Sequence, residues 1–125
     1  MEIEVGDFVR TKQGKIAKLI EVSKNNYYWF DNWIYKESGI PHQGFRIEDT
    51  ERIGIVKHSK NIIDLIEVGD YVNGKEVYIQ DGKLAVELAE HIPPYELLEN
   101  IEIETILTKE QYQANCYTVE RKKEC

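Results

Sequence analysis

Apolar and polar residues alternate in short runs along most of the chain, and the runs end at Gly, Asn or Asp. A period of two broken by such residues predicts strands joined by tight turns, not helices. Phe8 to Thr11 leads to a turn at Gln13-Gly14, and Ile16 to Val22 follows as a strand. Asn73-Gly74 and Asp81-Gly82 are two-residue hairpin signals, because both positions of such a turn need positive φ. The second half therefore opens as a β-meander. His91 to Tyr95 holds Pro93-Pro94 and predicts an extended loop. Glu99 to Leu107 alternates and predicts a half-buried strand. Thr108-Lys109-Glu110-Gln111 is a capping box that starts a short helix over 109–115. Cys116 to Arg121 predicts a last strand, and Lys122 to Cys125 a frayed end.

A repeat organises these elements. Ile3-Glu4-Val5-Gly6-Asp7-Phe8-Val9 recurs 63 residues later as Ile66-Glu67-Val68-Gly69-Asp70-Tyr71-Val72, with only Phe replaced by Tyr. A weaker echo links Gln13 to Leu19 with Asp81 to Leu88. Two copies predict two related modules, with Gly-Asp turning the chain sharply before each apolar strand. The expected fold is mainly β (α+β): two tandem small β-barrel or meander modules, residues 1–58 and 59–125, with one short C-terminal helix. Each module alone buries little surface, so the aliphatics Ile62, Ile63, Leu65 and Ile66 are expected to pack between them.

Charge distinguishes the halves. The chain of 125 residues has a formal net charge of −7, and residues 64–104 alone hold 11 acids against Lys75 and Lys83. Such a segment repels phosphates and attracts basic surfaces, or serves only as a solvated face. The acids singled out for a partner are Glu87, Glu90, Glu96, Glu99, Glu102 and Glu104. No apolar run approaches a membrane span, no secretory signal is visible, and two cysteines are few for a secreted scaffold. A cytoplasmic setting and no membrane partner are expected.

The other outstanding feature is aromatic. Tyr27, Tyr28, Trp29, Phe30, Trp33 and Tyr35 fall within nine residues and make up six of the 13 aromatics. Asp31-Asn32 predicts a hairpin turn between them. Alternation puts Tyr28 and Phe30 on one face and Tyr27 and Trp29 on the other. One face fills the module's core. The other packs on the second module or forms a contact patch, for which Tyr28, Trp29, Phe30, Trp33 and Tyr35 are the candidates. Base stacking on nucleic acid is a further use of such rings, but few Lys or Arg lie nearby in sequence.

Catalytic motifs are missing. His42, His58 and His91 are scattered, and no HExxH, CxxC, calcium loop, P-loop, GxGxxG or GxSxG occurs. Neighbouring His58 and Ser59 would point apart on a strand, and Cys116 predicts an inert thiol. No catalytic residue, metal site or cofactor is expected, and the protein is expected not to be an enzyme.

Val56-Lys57-His58-Ser59-Lys60-Asn61-Ile62-Ile63-Asp64-Leu65-Ile66-Glu67-Val68-Gly69-Asp70-Tyr71-Val72-Asn73-Gly74 resembles small uncharacterised proteins of Firmicutes phages and prophages, as do Gly6 to Val9 and Thr108 to Tyr112. The resemblance covers most of the chain and carries no catalytic assignment. It implies a phage-encoded, non-enzymatic inhibitor that binds a host defence protein in the bacterial cytoplasm, such as an anti-CRISPR acting on a Cas nuclease. The partner would be a basic, nucleic-acid-binding effector. A nucleic-acid-binding small barrel and a structural phage accessory protein, the latter as a homo-oligomer, are the alternative readings. The net charge argues against direct nucleic-acid binding.

Overall fold

The computed structural model describes residues 2–90 and 92–115; the expected strand at Cys116 to Arg121 and the Cys116 thiol lie outside them. The described chain is mainly β with a few short helices. It divides into two compact units, Met1–Leu65 and Ile66–Cys125. The first unit thus extends beyond the expected end at residue 58. The cause is local. The strand at Ile55–Ser59 pairs with Phe8–Thr11, and the buried Arg10 guanidinium donates to the Leu65 carbonyl at 2.9 Å. These bonds keep the chain through the 3-10 turn Ile62–Leu65 in the first unit.

The first unit contains β1 (Phe8–Thr11), β2 (Ile16–Ser23), β3 (Tyr27–Phe30), β4 (Tyr35–Glu37), β5 (Ile40–His42), β6 (Gly44–Arg46), helix α1 (Thr50–Ile53) and β7 (Ile55–Ser59). An antiparallel five-stranded sheet runs β6-β3-β2-β1-β7, and β4 and β5 form a separate hairpin. Val9, Ala17, Leu19, Tyr28, Phe30, Ile34, Phe45, Ile53 and Ile55 form the core with Ile3. Phe30 stacks on Phe45 at 5.5 Å between centroids, and Tyr28 meets Phe45 edge-on at 5.8 Å. Each large apolar side chain removed from water here contributes about 1.5–3 kcal/mol.

The aromatic segment is not the hairpin expected around Asp31-Asn32. Its turn lies upstream, where Asn26 takes φ 57° and joins β2 to β3. Asp31 instead ties to β2, accepting the Lys18 N–H on Oδ1 at 2.9 Å and donating its own N–H to the Lys18 carbonyl. Downstream, Ser38 and Gly39 take positive φ and turn β4 into β5.

The second unit contains β8 (Tyr71–Val72), β9 (Lys75–Glu76), β10 (Tyr78–Gln80), β11 (Lys83–Glu87), β12 (Tyr95–Leu97), β13 (Ile106–Leu107) and α2 (Lys109–Asn115). Its sheets run β10-β11-β12 and β13-β8-β9. The Asn73-Gly74 and Asp81-Gly82 hairpins form with all four residues at positive φ. The expected long strand over Glu99 to Leu107 shortens to β13, because its upstream part wraps the Asn73 side chain. Glu104 and Thr105 N–H groups donate to Asn73 Oδ1 at 2.8 and 3.0 Å, and Asn73 Nδ2 donates to the Glu102 carbonyl. Tyr95, expected in a loop, instead pairs with Glu87 across β11 and β12. The capping box forms at α2, with the Gln111 N–H donating to Thr108 Oγ1 at 3.3 Å.

The sequence repeat is a structural repeat. Gly6 and Gly69 both have φ 96°. The Glu4 N–H donates to Asp7 Oδ2 at 3.1 Å, and the Glu67 N–H to Asp70 Oδ2 at 2.7 Å. Each aspartate is buried and closes its own turn as a local cap. A lysine from later in the chain lies over each turn. Lys60 Nζ sits 3.0 Å from Asp7 Oδ1, and Lys109 Nζ sits 2.6 Å from Glu67 Oε1.

Candidate functional site

Alternation along β3 decides which rings face solvent. Tyr28 and Phe30 point into the core and are 4% and 0% exposed. They are unavailable for docking, which corrects their assignment to a contact patch. Core volume explains the outcome: with Phe45 they fill the space beneath a small sheet. Trp29, on the opposite face, is 40% exposed. It packs on Tyr27 at 4.7 Å between centroids. Tyr27 was absent from the candidate set, although the period of two already put it on Trp29's side.

Gly44 on β6 makes this ledge. A Cβ there would meet the Tyr28 carbonyl at 2.5 Å and the rings of Trp29 and Tyr27 at 2.8 Å. Only glycine lets both rings lie across the strand, and the Tyr27 hydroxyl donates to the Gly44 carbonyl at 3.4 Å. Glu21 pairs with Trp29 across the sheet on one side, and Arg46 with Tyr27 on the other. Arg46 lies 3.6 Å from Glu48. The result is a two-ring apolar ledge with charged neighbours.

Trp33 and Tyr35 lie elsewhere. Tyr35 stacks on His42 at 4.7 Å and packs against the core. Trp33 lines a cleft of about 360 Å³ with Thr11, Lys15, Lys36, Glu37 and Arg52. Lys15 Nζ lies 4.2 Å and Lys36 Nζ 4.8 Å from the Trp33 ring centroid. Burial holds the Lys15 ammonium below its ordinary pKa; Asp31 opposes that shift and Lys36 adds to it. No local pattern marks this cleft, because Lys15, Trp33 and Arg52 meet only through the fold.

The acidic candidates are spread over the second unit. Glu87 is exposed on β11, Glu90 lies in the following turn, and Glu96 is half-buried on β12. Glu99 pairs with Lys83 at 3.0 Å. Glu102 and Glu104 are exposed on the segment that wraps Asn73. Glu87 enters a cleft of about 700 Å³, which it shares with Glu76, Lys75, Tyr78, Gln80, Pro94 and Tyr95. Burial, Glu87 and Tyr95 push the Tyr78 phenol above its ordinary pKa. Two tyrosines beside two carboxylates suit a cationic side chain: the carboxylates attract it and the rings cover its stem.

Among the described residues no cluster of three or more His, Cys, Asp and Glu could hold a metal ion. No described helix is long and apolar enough to cross a membrane. Comparison with protein-family models, curated proteins and solved structures finds no match for the chain.

Proposed function

We propose that the chain is a non-enzymatic protein-binding inhibitor, phage-encoded and acting in the host cytoplasm on a basic, nucleic-acid-binding defence effector of the Cas nuclease class. The Tyr27–Trp29 ledge over Gly44 carries the reading. A tryptophan that a glycine frees to lie on the outer face of a sheet contributes little to its own core and suits a partner's pocket. The acidic second unit supports it by steering a basic surface, with Glu87, Tyr78 and Tyr95 ready to take a Lys or Arg. The phage resemblance supplies the context. Each unit serves as a small, partly open barrel that presents these surfaces.

The test is binding of the full chain to a purified, guide-loaded Cas nuclease across a salt series. Association slows as salt rises, and Trp29→Ala raises the off-rate by about tenfold or more with little change in on-rate. Binding that ignores both salt and Trp29→Ala refutes the proposal.

A further inference from the structure

The cleft around Trp33 carries chemistry that the docking ledge does not use. Lys15, Lys36 and Arg52 line it against one carboxylate, Glu37. Among the described residues neither Lys15 nor Lys36 forms an ion pair with a carboxylate. Both ammonium groups instead rest on one indole, at 4.2 and 4.8 Å; Asp31 attracts the Lys15 ammonium, and Lys36 repels it. Arg52 reaches Asp49 at 3.5 Å from an exposed position.

The walls are firm. The buried Thr11 hydroxyl accepts the Lys15 N–H at 3.1 Å and fixes the turn that carries this lysine. Ile34 and Ile53 are buried core residues that also line the cleft. Its volume of about 360 Å³ lies at the lower end of the range of small-molecule sites.

We propose that this cleft binds a small phosphorylated aromatic ligand of nucleotide size. Lys15, Lys36 and Arg52 take the phosphate, and the Trp33 ring takes the base. A phosphate relieves the repulsion between the two ammonium groups. It also exchanges the two cation–π contacts for stronger charge-assisted hydrogen bonds. The lysines leave the indole face as they turn to the phosphate, so the base can stack there. A free nucleotide fits better than a strand, because a cleft of about 360 Å³ has room for one nucleotide and not for a run of them.

The chain has two tryptophans, so Trp29→Phe leaves Trp33 as the single indole reporter. Adenosine 5′-monophosphate titrated into full-length Trp29→Phe protein should quench Trp33 fluorescence saturably. Adenosine and inorganic phosphate should each bind about tenfold more weakly or worse, a loss of about 1.4 kcal/mol. Adding Lys15→Ala and Lys36→Ala should weaken nucleotide binding by about tenfold or more while leaving the thermal melting curve in place. Absence of saturable quenching, or equal affinity without the lysines, overturns the proposal. Inorganic phosphate binding as tightly as the nucleotide overturns the role of Trp33. Binding of an oligothymidine with none of the mononucleotide overturns the assignment to a free ligand.

Discussion

Replacing Asp7 by alanine should destabilise the first unit by about 2–3 kcal/mol. The buried carboxylate accepts the Glu4 N–H at 3.1 Å, contacts His58 Nδ1 at 3.0 Å and pairs with Lys60 Nζ at 3.0 Å. The bond to Glu4 caps the turn and is worth about 1 kcal/mol. The partners' side chains are 55% exposed for Lys60 and 31% for His58, so solvent screening reduces each of those contacts to about 0.5–1 kcal/mol. Both tryptophans lie in the first unit, so their fluorescence reports its unfolding in urea. With a denaturant slope of about 1–3 kcal/mol per molar, the midpoint should fall by about 0.7–3 M. The acid limb gives an independent check. Burial raises the Asp7 pKa, but the Glu4 N–H, Lys60 and His58 outweigh it, so the folded value lies below the ordinary one. The stabilisation is therefore complete above the unfolded pKa of about 4 and is lost as pH falls through the lower folded value. Asp7→Ala should flatten that part of the wild-type stability profile. An unchanged midpoint at neutral pH, together with an unchanged acid limb, would refute the account of the turn.

Gly44→Ala should destabilise the sheet by about 1–3 kcal/mol and disturb the ledge, because its Cβ meets backbone at 2.5 Å; urea unfolding with near-UV circular dichroism reads both. Phe30→Ala should cost about 3–5 kcal/mol, whereas Trp29→Ala should cost less than about 1 kcal/mol; matching losses by calorimetry would contradict their opposite placement. Glu87→Gln should lower the Tyr78 phenol pKa toward its ordinary value by removing a neighbouring negative charge, and an ultraviolet pH titration should show one tyrosine ionising at lower pH.

Local chemistry was legible wherever a turn depends on its own residues. Gly6-Asp7, Gly69-Asp70, Asn73-Gly74 and Asp81-Gly82 turn where glycine, asparagine and aspartate tolerate positive φ, and Thr108 with Gln111 caps α2. The repeat announced a repeated structure, because the same short side-chain bond closes both copies. The aromatic segment shows the limit. The period of two separated Tyr28 and Phe30 from Tyr27 and Trp29, but it could not say which pair would face the core.

Strand partners are chosen by distant residues, and those choices belong to the tertiary structure. Asp31-Asn32 has the composition of a hairpin turn, yet β3 pairs with β2 and β6, and Asp31 is spent on Lys18. Glu99 to Thr105 alternates like a strand, yet the Glu104 and Thr105 N–H groups donate to the Asn73 side chain instead of a ladder. The Trp33 cleft likewise joins residues from the β1–β2 turn, the segment around β4 and α1. Local sequence fixes backbone angles through sterics and short hydrogen bonds. Which face is buried, and which side chains meet, depends on where apolar volume elsewhere in the chain comes to rest.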